Sequence, residues 1–423
     1  MKVVFATYDS PDDVGGVSSW LQRLLPKLQA AGIEVEVHLL AFGGRPGVNC
    51  AAFERLGIPF RWKPWVEDTR AAVRNCLQLL EQSQPDIYVP NCFLPAYYAA
   101  GILHGQGLHT VGVLHSDDSF YRGVADEFIH GAPAFRLSAV VAVSKYLQDA
   151  VAASTTQPPL LLRRIGCGVP LTSEGASPPT RVFRLVYVGR LEEEQKRISD
   201  VARALCAVAQ QNPRVEAWIV GEGSGRPAVE AIIQASGVDP QRVKLLGRVD
   251  VARIYSVLRD CHALVLLSDY EGLPVSVLEA MSVGVVPICL DIRSGIREAI
   301  QPGVNGLIVQ DRQTDFYAAV QTLQGDPALW KKLSTNARAT VREKFSEEIC
   351  TAAWVELLGS LGKSQRLGRL KMPRRFRLPP ANPKFCLQDN RPSFVNKLWR
   401  WFRRTGGHYK RQLWKCFGQT PDR

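Results

Sequence analysis

Two doubly wound α/β domains facing each other across a cleft are the architecture the sequence predicts, and three observations carry that expectation. Short β-rich runs alternate with helix-length amphipathic segments along most of the chain, the pattern of parallel sheets covered by helices on both faces. The polar, proline-rich stretch LTSEGASPPT (171–180) interrupts this alternation, as an interdomain linker does. The alternation then starts again. At 423 residues and 46% hydrophobic composition the chain has material for two cores.

In the first domain, residues 1–170, the strand runs are KVVFATY (2–8), EVEVHLL (34–40), DIYVPN (86–91), TVGVLH (110–115) and AVVAVS (139–144). Gly15 and Gly16 follow the first run and precede a helix that Ser18 is placed to cap. Paired glycines serve either as a tight turn or where backbone must approach a ligand closely. Pro26 falls inside that helix and is expected to kink it. His115 ends the fourth run and is followed by Asp117 and Asp118. Two adjacent carboxylates without further ligands are a poor magnesium site.

In the second domain, residues 181–361, the runs are FRLVYVG (183–189), EAWIVG (216–221), VKLLG (243–247), ALVLLS (263–268), VVPICL (285–290) and GLIV (306–309). Arg190 and Lys196 lie in the loop after the first of these. Cations six apart can both reach one pyrophosphate, arginine through its planar fork and lysine as a point charge. The alternative is a solvated, salt-bridged loop, to which the glutamates at 192–194 lend weight. The GEG at 221–223 is not a full dinucleotide fingerprint, because Arg226 stands where its third glycine belongs.

The most informative stretch is SDYEGLPVSVLEAMSVG (268–284), in which Glu271 and Glu279 are separated by seven residues. Pro274 suits a first helical position and Gly284 the residue just past the helix end. Glu271 then precedes the helix and Glu279 lies inside it. The free amides from Gly272 through Leu273 and Pro274 to Val275 would face a pyrophosphate at the positive end of the helix. Farther on, Ser346 opens a last helix expected to end near Leu358, with Gly359 beyond it.

This stretch resembles the retaining GT-B glycosyltransferases of the large Glu-x7-Glu group, glycosyltransferase family 4, whose signature continues Ala-Met-x-x-Gly. Glu271, Glu279, Ala280, Met281 and Gly284 match it position for position. Gly-Arg-Leu followed by Lys196, Val-Ser at 143–144 and Ile-x-x-Gly-Val at 165–169 are similar to other segments of the group. The resemblance implies a GT-B fold and a catalytic centre in which Glu271 and His115 orient the donor sugar. It further implies that Arg190 and Lys196 neutralise the diphosphate, that Glu279 holds the ribose, and that Gly16 and residues 272–275 line the phosphates. Backbone at Val249 would meet the nucleobase. The implied reaction moves a sugar from a nucleoside-diphosphate donor to a hydroxyl of a glycan or lipid-linked acceptor, with no metal and no cofactor. Cys167, Pro170, Ser294 and Arg297 depart from the group's usual residues. A GT-B epimerase or a non-catalytic sugar-nucleotide-binding protein would share the same signature.

The net charge of +12 is concentrated in one place: residues 361–423 carry 17 basic and two acidic residues, leaving 35 basic against 38 acidic before them. Residues 362–423 therefore read as a basic, Trp-rich tail. On a helical wheel PSFVNKLWRWFRR (392–404) separates aromatic and aliphatic residues from cations, which suits an anionic membrane surface contacted through residues 392–417. The same composition also suits acidic proteins or nucleic acid, of which nucleic acid is the less expected partner. The ten cysteines form no CxxC pair and several lie in apolar runs, as reduced thiols in a cytoplasmic core do. The first residues read as strand and turn rather than as a leader, and no apolar run reaches 18 residues. The expectation is a cytoplasmic enzyme, peripheral on the inner face of the membrane.

Overall fold

The computed structural model describes residues 1–11, 15–153, 161–364, 368–379 and 382–385. The first domain runs β1 (Lys2–Asp9), α1 (Gly16–Ala30), β2 (Glu34–Ala41), α2 (Val48–Arg55), β3 (Phe60–Pro64), α3 (Thr69–Ser83) and β4 (Ile87–Pro90). It continues through α4 (Leu94–His104), β5 (His109–Leu114), α5 (Ser119–Val124), β6 (Ala139–Ala142), α6 (Lys145–Ala153) and β7 (Leu161–Arg164). The second domain runs β8 (Phe183–Val188), α7 (Ile198–Gln211), β9 (Val215–Val220), α8 (Arg226–Ser236), β10 (Val243–Gly247), α9 (Val251–Arg259) and β11 (Ala263–Leu266). It closes with α10 (Val275–Ser282), β12 (Val286–Leu290), α11 (Ile296–Ala299), β13 (Leu307–Val309), α12 (Thr314–Gly325), α13 (Pro327–Lys344) and α14 (Glu347–Leu361).

Both sheets are parallel, ordered β3-β2-β1-β4-β5-β6-β7 and β10-β9-β8-β11-β12-β13. In each, strand order reverses beside the first strand of the domain. Loops leaving the carboxyl ends of strands on either side of that reversal part around a crevice, where open α/β sheets bind ligands. The loops after β1, β8 and β11 are those carrying Gly16, Arg190 with Lys196, and Glu271. Central strands such as β4, β6, β11 and β12 are buried along their whole length, which is why they read as unbroken apolar runs. β3 and β7, the edge strands of the first sheet, are mostly half-buried or exposed. The sequence reading contains neither.

The helix ends show where local signals compete. α1 opens at Gly16 behind Gly15, with no side-chain cap, so Ser18 is a buried first-turn residue rather than the cap. It runs through Pro26 as one helix. Asp326 and Ser346 cap α13 and α14 by accepting from Leu329 and Ile349. α14 passes through Gly359 to Leu361 and ends at Gly362, whose φ of 68° a glycine adopts without steric cost. α14 crosses back to the first domain: Trp354 is buried against Phe5 and Trp20, with ring centroids 5.9 and 5.7 Å away. The described residues beyond it also lie on the first domain. Leu370 and Lys371 donate their N–H groups to Gln84 and Gln106, and Phe385 packs on Phe120 and Phe128. The amphipathic segment 392–404 lies outside the described residues.

A charged network staples the amino-terminal ends of β1 and β2. Glu36 is 4% exposed. It meets Lys2 at 2.8 Å and Arg61 at 2.7 Å and accepts from Ser83 at 2.6 Å. Burial alone would raise the Glu36 carboxyl, but hydrogen bonds from His38, Lys2 and Ser83 hold it well below its ordinary range. Because the folded value is depressed, this stabilisation is present above the unfolded glutamate value and is lost as pH falls below it. Glu36→Gln should lower unfolding free energy by about 3 kcal/mol at pH 7. The loss should shrink as the pH is lowered from about 5 towards 3, as read by urea denaturation across that range.

Candidate active site

The second domain builds its half of the site from two loops held together by a side-chain chain. Glu271, in the loop between β11 and α10, is 5% exposed. Its Oε1 pairs with Lys196 Nζ at 2.5 Å and its Oε2 accepts from Gln195 Nε2 at 3.2 Å. Gln195 also donates to the Tyr270 carbonyl at 3.0 Å, and its Oε1 accepts from Arg190 Nη2 at 3.1 Å. The backbone ties the same loops, since Asp269 N–H donates to the Gln195 carbonyl. Arg190 itself is exposed, and it also pairs with Glu192. Of the two sequence readings of this loop, the structure contains elements of both: Glu192 shares Arg190, whereas Lys196 is drawn inward to Glu271.

Glycines after β9 explain how the Arg190 loop is braced. Leu191 N–H donates to the Glu222 carbonyl, and the Leu191 carbonyl accepts from Gly225 N–H. Side chains at Gly221 or Gly223 would overlap the carbonyl oxygens of Gly189 and Leu191. The GEG run therefore packs one loop on another. Arg197, left-handed at φ 50°, then turns the chain into α7.

α10 begins at Val275, with Pro274 as its cap residue rather than its first helical residue. The N–H groups that open a helix have no intrahelical acceptor, and in α10 they are those of Val275 and Ser276, because Pro274 has no N–H and Val277 already donates to the Pro274 carbonyl; Gly272 and Leu273 precede the helix. Gly272, Leu273 and Pro274 are buried and Val275 is half-buried. Glu279 is the fifth residue of α10 and 7% exposed. Val249 is half-buried in the loop between β10 and α9.

The first domain supplies the opposite wall. His115, one residue past β5, packs edge-on against Trp20 with centroids 4.9 Å apart. Its Nε2 lies 3.2 Å from Asn91 Oδ1, and the Asn91 Nδ2 donates to the Val89 carbonyl. That second bond fixes the amide, so His115 carries its proton on Nε2 and presents Nδ1 as an acceptor. Burial pushes the imidazole down to about 3, leaving it neutral at physiological pH. Gly16 is exposed and a Cβ there would meet no atom of the described residues within 4 Å.

Asp117 and Asp118 do not form a metal pair. Asp117 is engaged by Arg122 and the Tyr146 hydroxyl, and Asp118 caps α5 through Tyr121 N–H. Among the described residues no group of three or more His, Cys, Asp or Glu could hold a metal ion. No described helix is long and apolar enough to cross a membrane.

The two walls touch. A Cβ on Gly272 would overlap the His115 carbonyl oxygen, and one on Gly295 would lie 2.6 Å from Ser144 Cβ. Glu298 accepts from Tyr146 N–H at 3.1 Å. Arg23 of α1 reaches Glu279 across the cleft at 2.7 Å. Concavities of about 490 and 250 Å³ lie elsewhere, under the linker beside Trp330 and beside Asn305. Gln195, Asn91 and Arg23 are absent from the sequence reading. Gln195 lies within the Arg190–Lys196 motif, and its position beside Lys196 was the only available signal.

Two family models match: Glycosyltransferase Family 4 over residues 14–173 and Glycosyl transferases group 1 over residues 182–326. The chain belongs to the group 1, family 4 glycosyltransferases. This family 4 chain is 37% identical over 136 residues to the lipopolysaccharide 1,6-galactosyltransferase of Salmonella typhimurium, covering 30% of the chain and 36% of that relative. It is 28% identical over 198 residues to a glycogen synthase of Mycobacterium tuberculosis, covering 46% and 47%. The chain thus spans less than half the length of these curated relatives. HepE from Anabaena, in complex with UDP-glucose, superposes with a TM-score of 0.71 at 20% identity, over 85% of this chain and all of that one. The lipopolysaccharide outer core galactosyltransferase WaaB gives a TM-score of 0.62 at 21% identity, over 85% and 99%. At these identities the structural likeness is one of fold, and it is the GT-B fold.

Proposed function

We propose that this chain is a hexosyltransferase that moves a sugar from a nucleoside-diphosphate donor to a hydroxyl of a glycan or lipid-linked acceptor, with retention of configuration and without metal or cofactor. The observation that carries the reading is the Arg190–Gln195–Glu271–Lys196 chain set just before α10, where Gly272 meets the His115 backbone. Arg190 and Lys196 supply positive charge where a diphosphate would leave, and the opening N–H groups of α10 add partial positive charge. Glu271, fixed by Lys196 and Gln195, is an acceptor for donor-sugar hydroxyls. His115 adds a neutral acceptor through Nδ1. Glu279 offers a carboxylate to a ribose diol.

In the reaction the bond from the anomeric carbon to the phosphate oxygen breaks, the acceptor oxygen bonds on the same face, and its proton passes to the departing phosphate. No side chain is assigned as a nucleophile. The named relatives, among them galactosyl- and N-acetylglucosaminyltransferases, support a hexose donor, and the UDP complexes of HepE support a uridine nucleotide.

Calorimetry with UDP, GDP and ADP, without added metal, tests the donor site. One nucleotide should bind the wild type, and Glu279→Ala should weaken it at least tenfold, as losing hydrogen bonds to a charged group does. Binding by none of the three would sink the reading. Release of free sugar without acceptor would point instead to epimerase chemistry.

The basic segment 392–417 supports contact with anionic lipid. Liposome flotation should fall when residues 386–423 are removed, a cut that spares the packed Leu370, Leu378 and Phe385. Equal flotation of both forms would discard the idea.

A further inference from the structure

Arg23 projects from the middle of α1, and nothing in the roles assigned above uses it. Its side chain is 9% exposed, and its Nη1 bonds Glu279 Oε1 at 2.7 Å. The partners are 256 residues apart in sequence and belong to opposite domains. The remaining donors, Nε and Nη2, are buried and make no hydrogen bond of good geometry among the described residues; the Tyr255 hydroxyl, likewise buried and without such a bond, interacts with the guanidinium electrostatically. A buried guanidinium with unpaired donors costs about 1–3 kcal/mol for each group left unsatisfied. That cost is removed if something oxygen-rich enters the space between the domains. Glu279 Oε2, meanwhile, accepts no hydrogen bond in the protein among the described residues. One oxygen of the Glu279 carboxylate and one of the five Arg23 N–H donors are therefore engaged with each other, and the rest are available to a ligand between the domains.

We propose that Arg23 is a positioning residue of the nucleotide site supplied by the opposite domain: it grips Glu279 by Oε1, leaves Oε2 for a ribose hydroxyl, and couples nucleotide binding to domain closure. The inference rests on the reading that Glu279 takes the ribose. The ion pair exists only when the domains are together, and it orients the carboxylate that the nucleotide needs. Closure and binding must then favour each other by the same factor. A nucleoside diphosphate also brings acceptor oxygens and no positive charge, which suits the free Nε and Nη2 groups. A cationic or purely apolar ligand would leave them unpaired.

A double-mutant cycle on nucleotide affinity decides the matter, with UDP, GDP and ADP each titrated into the full-length chain. Arg23→Gln should weaken the nucleotide that binds wild type about tenfold or more, as loss of a hydrogen bond to a charged group does. Glu279→Gln should weaken it comparably, and the double variant should be no weaker than the worse single by more than about twofold, because the two residues act as one unit. Arg23→Lys keeps the charge and the bond to Oε1, so it should restore part of the affinity and guards against a variant that merely misfolds. X-ray scattering should show nucleotide shrinking the wild type but not Arg23→Gln. If Arg23→Gln binds as wild type does while Glu279→Gln is weakened, or if the two losses simply add, the coupling proposal falls and the donor-site reading stands. If no nucleotide binds the wild type, both fall.

Discussion

Lys196→Met will cut turnover by a factor of about 10²–10³, the usual cost of removing one preorganised electrostatic partner of a developing negative charge. The methionine is similar in length and fills the same space, so the lost element is charge. Lys196 is held 2.5 Å from Glu271, with 12% and 7% of the two side chains exposed, so the substitution has a second consequence. It leaves Glu271 buried with only the Gln195 amide for company. Removing one partner of a buried pair costs about 3–5 kcal/mol of stability, and a fall in activity alone would not separate the two effects. Lys196→Met with Glu271→Gln does separate them, since a neutral amide in place of the carboxylate no longer needs a cation. The double variant should recover most of the unfolding free energy in urea while turnover, followed by nucleoside-diphosphate release, stays at or below that of the single variant. Turnover within about threefold of wild type for Lys196→Met would remove Lys196 from the diphosphate site, because an electrostatic partner of the leaving group cannot be worth so little.

The parts of this site that are legible in the sequence are those whose residues sit within one turn-and-helix unit. Arg190, Lys196, Glu271 and Glu279 fall into two contiguous motifs at the carboxyl ends of β8 and β11, and apolar runs announce both strands. All six strands of the second sheet are legible for the same reason. β3 reads FRWKP and β7 reads LLRR, and as half-exposed edge strands they need no continuous apolar face. Cap positions are legible when a side chain makes the cap, as at Ser346, and misplaced where backbone does it, as at Gly15 and Gly359. The Arg23–Glu279 pair has no local signature at all. Helical spacing puts Trp20 and Arg23 on one face of α1, but which of them meets the other domain is decided only by the packing of that domain. Likewise Asp117 and Asp118 look alike in sequence, and only the positions of Arg122, Tyr146 and Tyr121 assign one to an ion pair and the other to a helix cap.

Gly272→Ala isolates domain closure from every other property of the site. The nearest atoms to a Cβ at this position are the His115 carbonyl oxygen and carbon and Ser116 Cα, all backbone and all from the first domain. Backbone cannot rotate aside as the end of a side chain does. The φ of Gly272 is not left-handed, so alanine is tolerated by the second domain itself, and Glu271, Lys196 and α10 keep their places. The added methyl is relieved when the two domains stand apart by an ångström or so. The site is then intact on each wall but mismatched across the cleft, and a misplacement of about 1 Å costs on the order of 10² in rate. We expect kcat to fall by about that factor. Unfolding free energy should stay within about 1 kcal/mol of wild type, since no buried contact inside either domain is lost. Gly272→Ser should behave as alanine does, because the obstructing atom is the Cβ in both. If kcat is retained, the approach of Gly272 to His115 is dispensable for turnover. If stability falls by several kcal/mol instead, the contact between the two domains is part of the fold rather than a closure that the reaction requires.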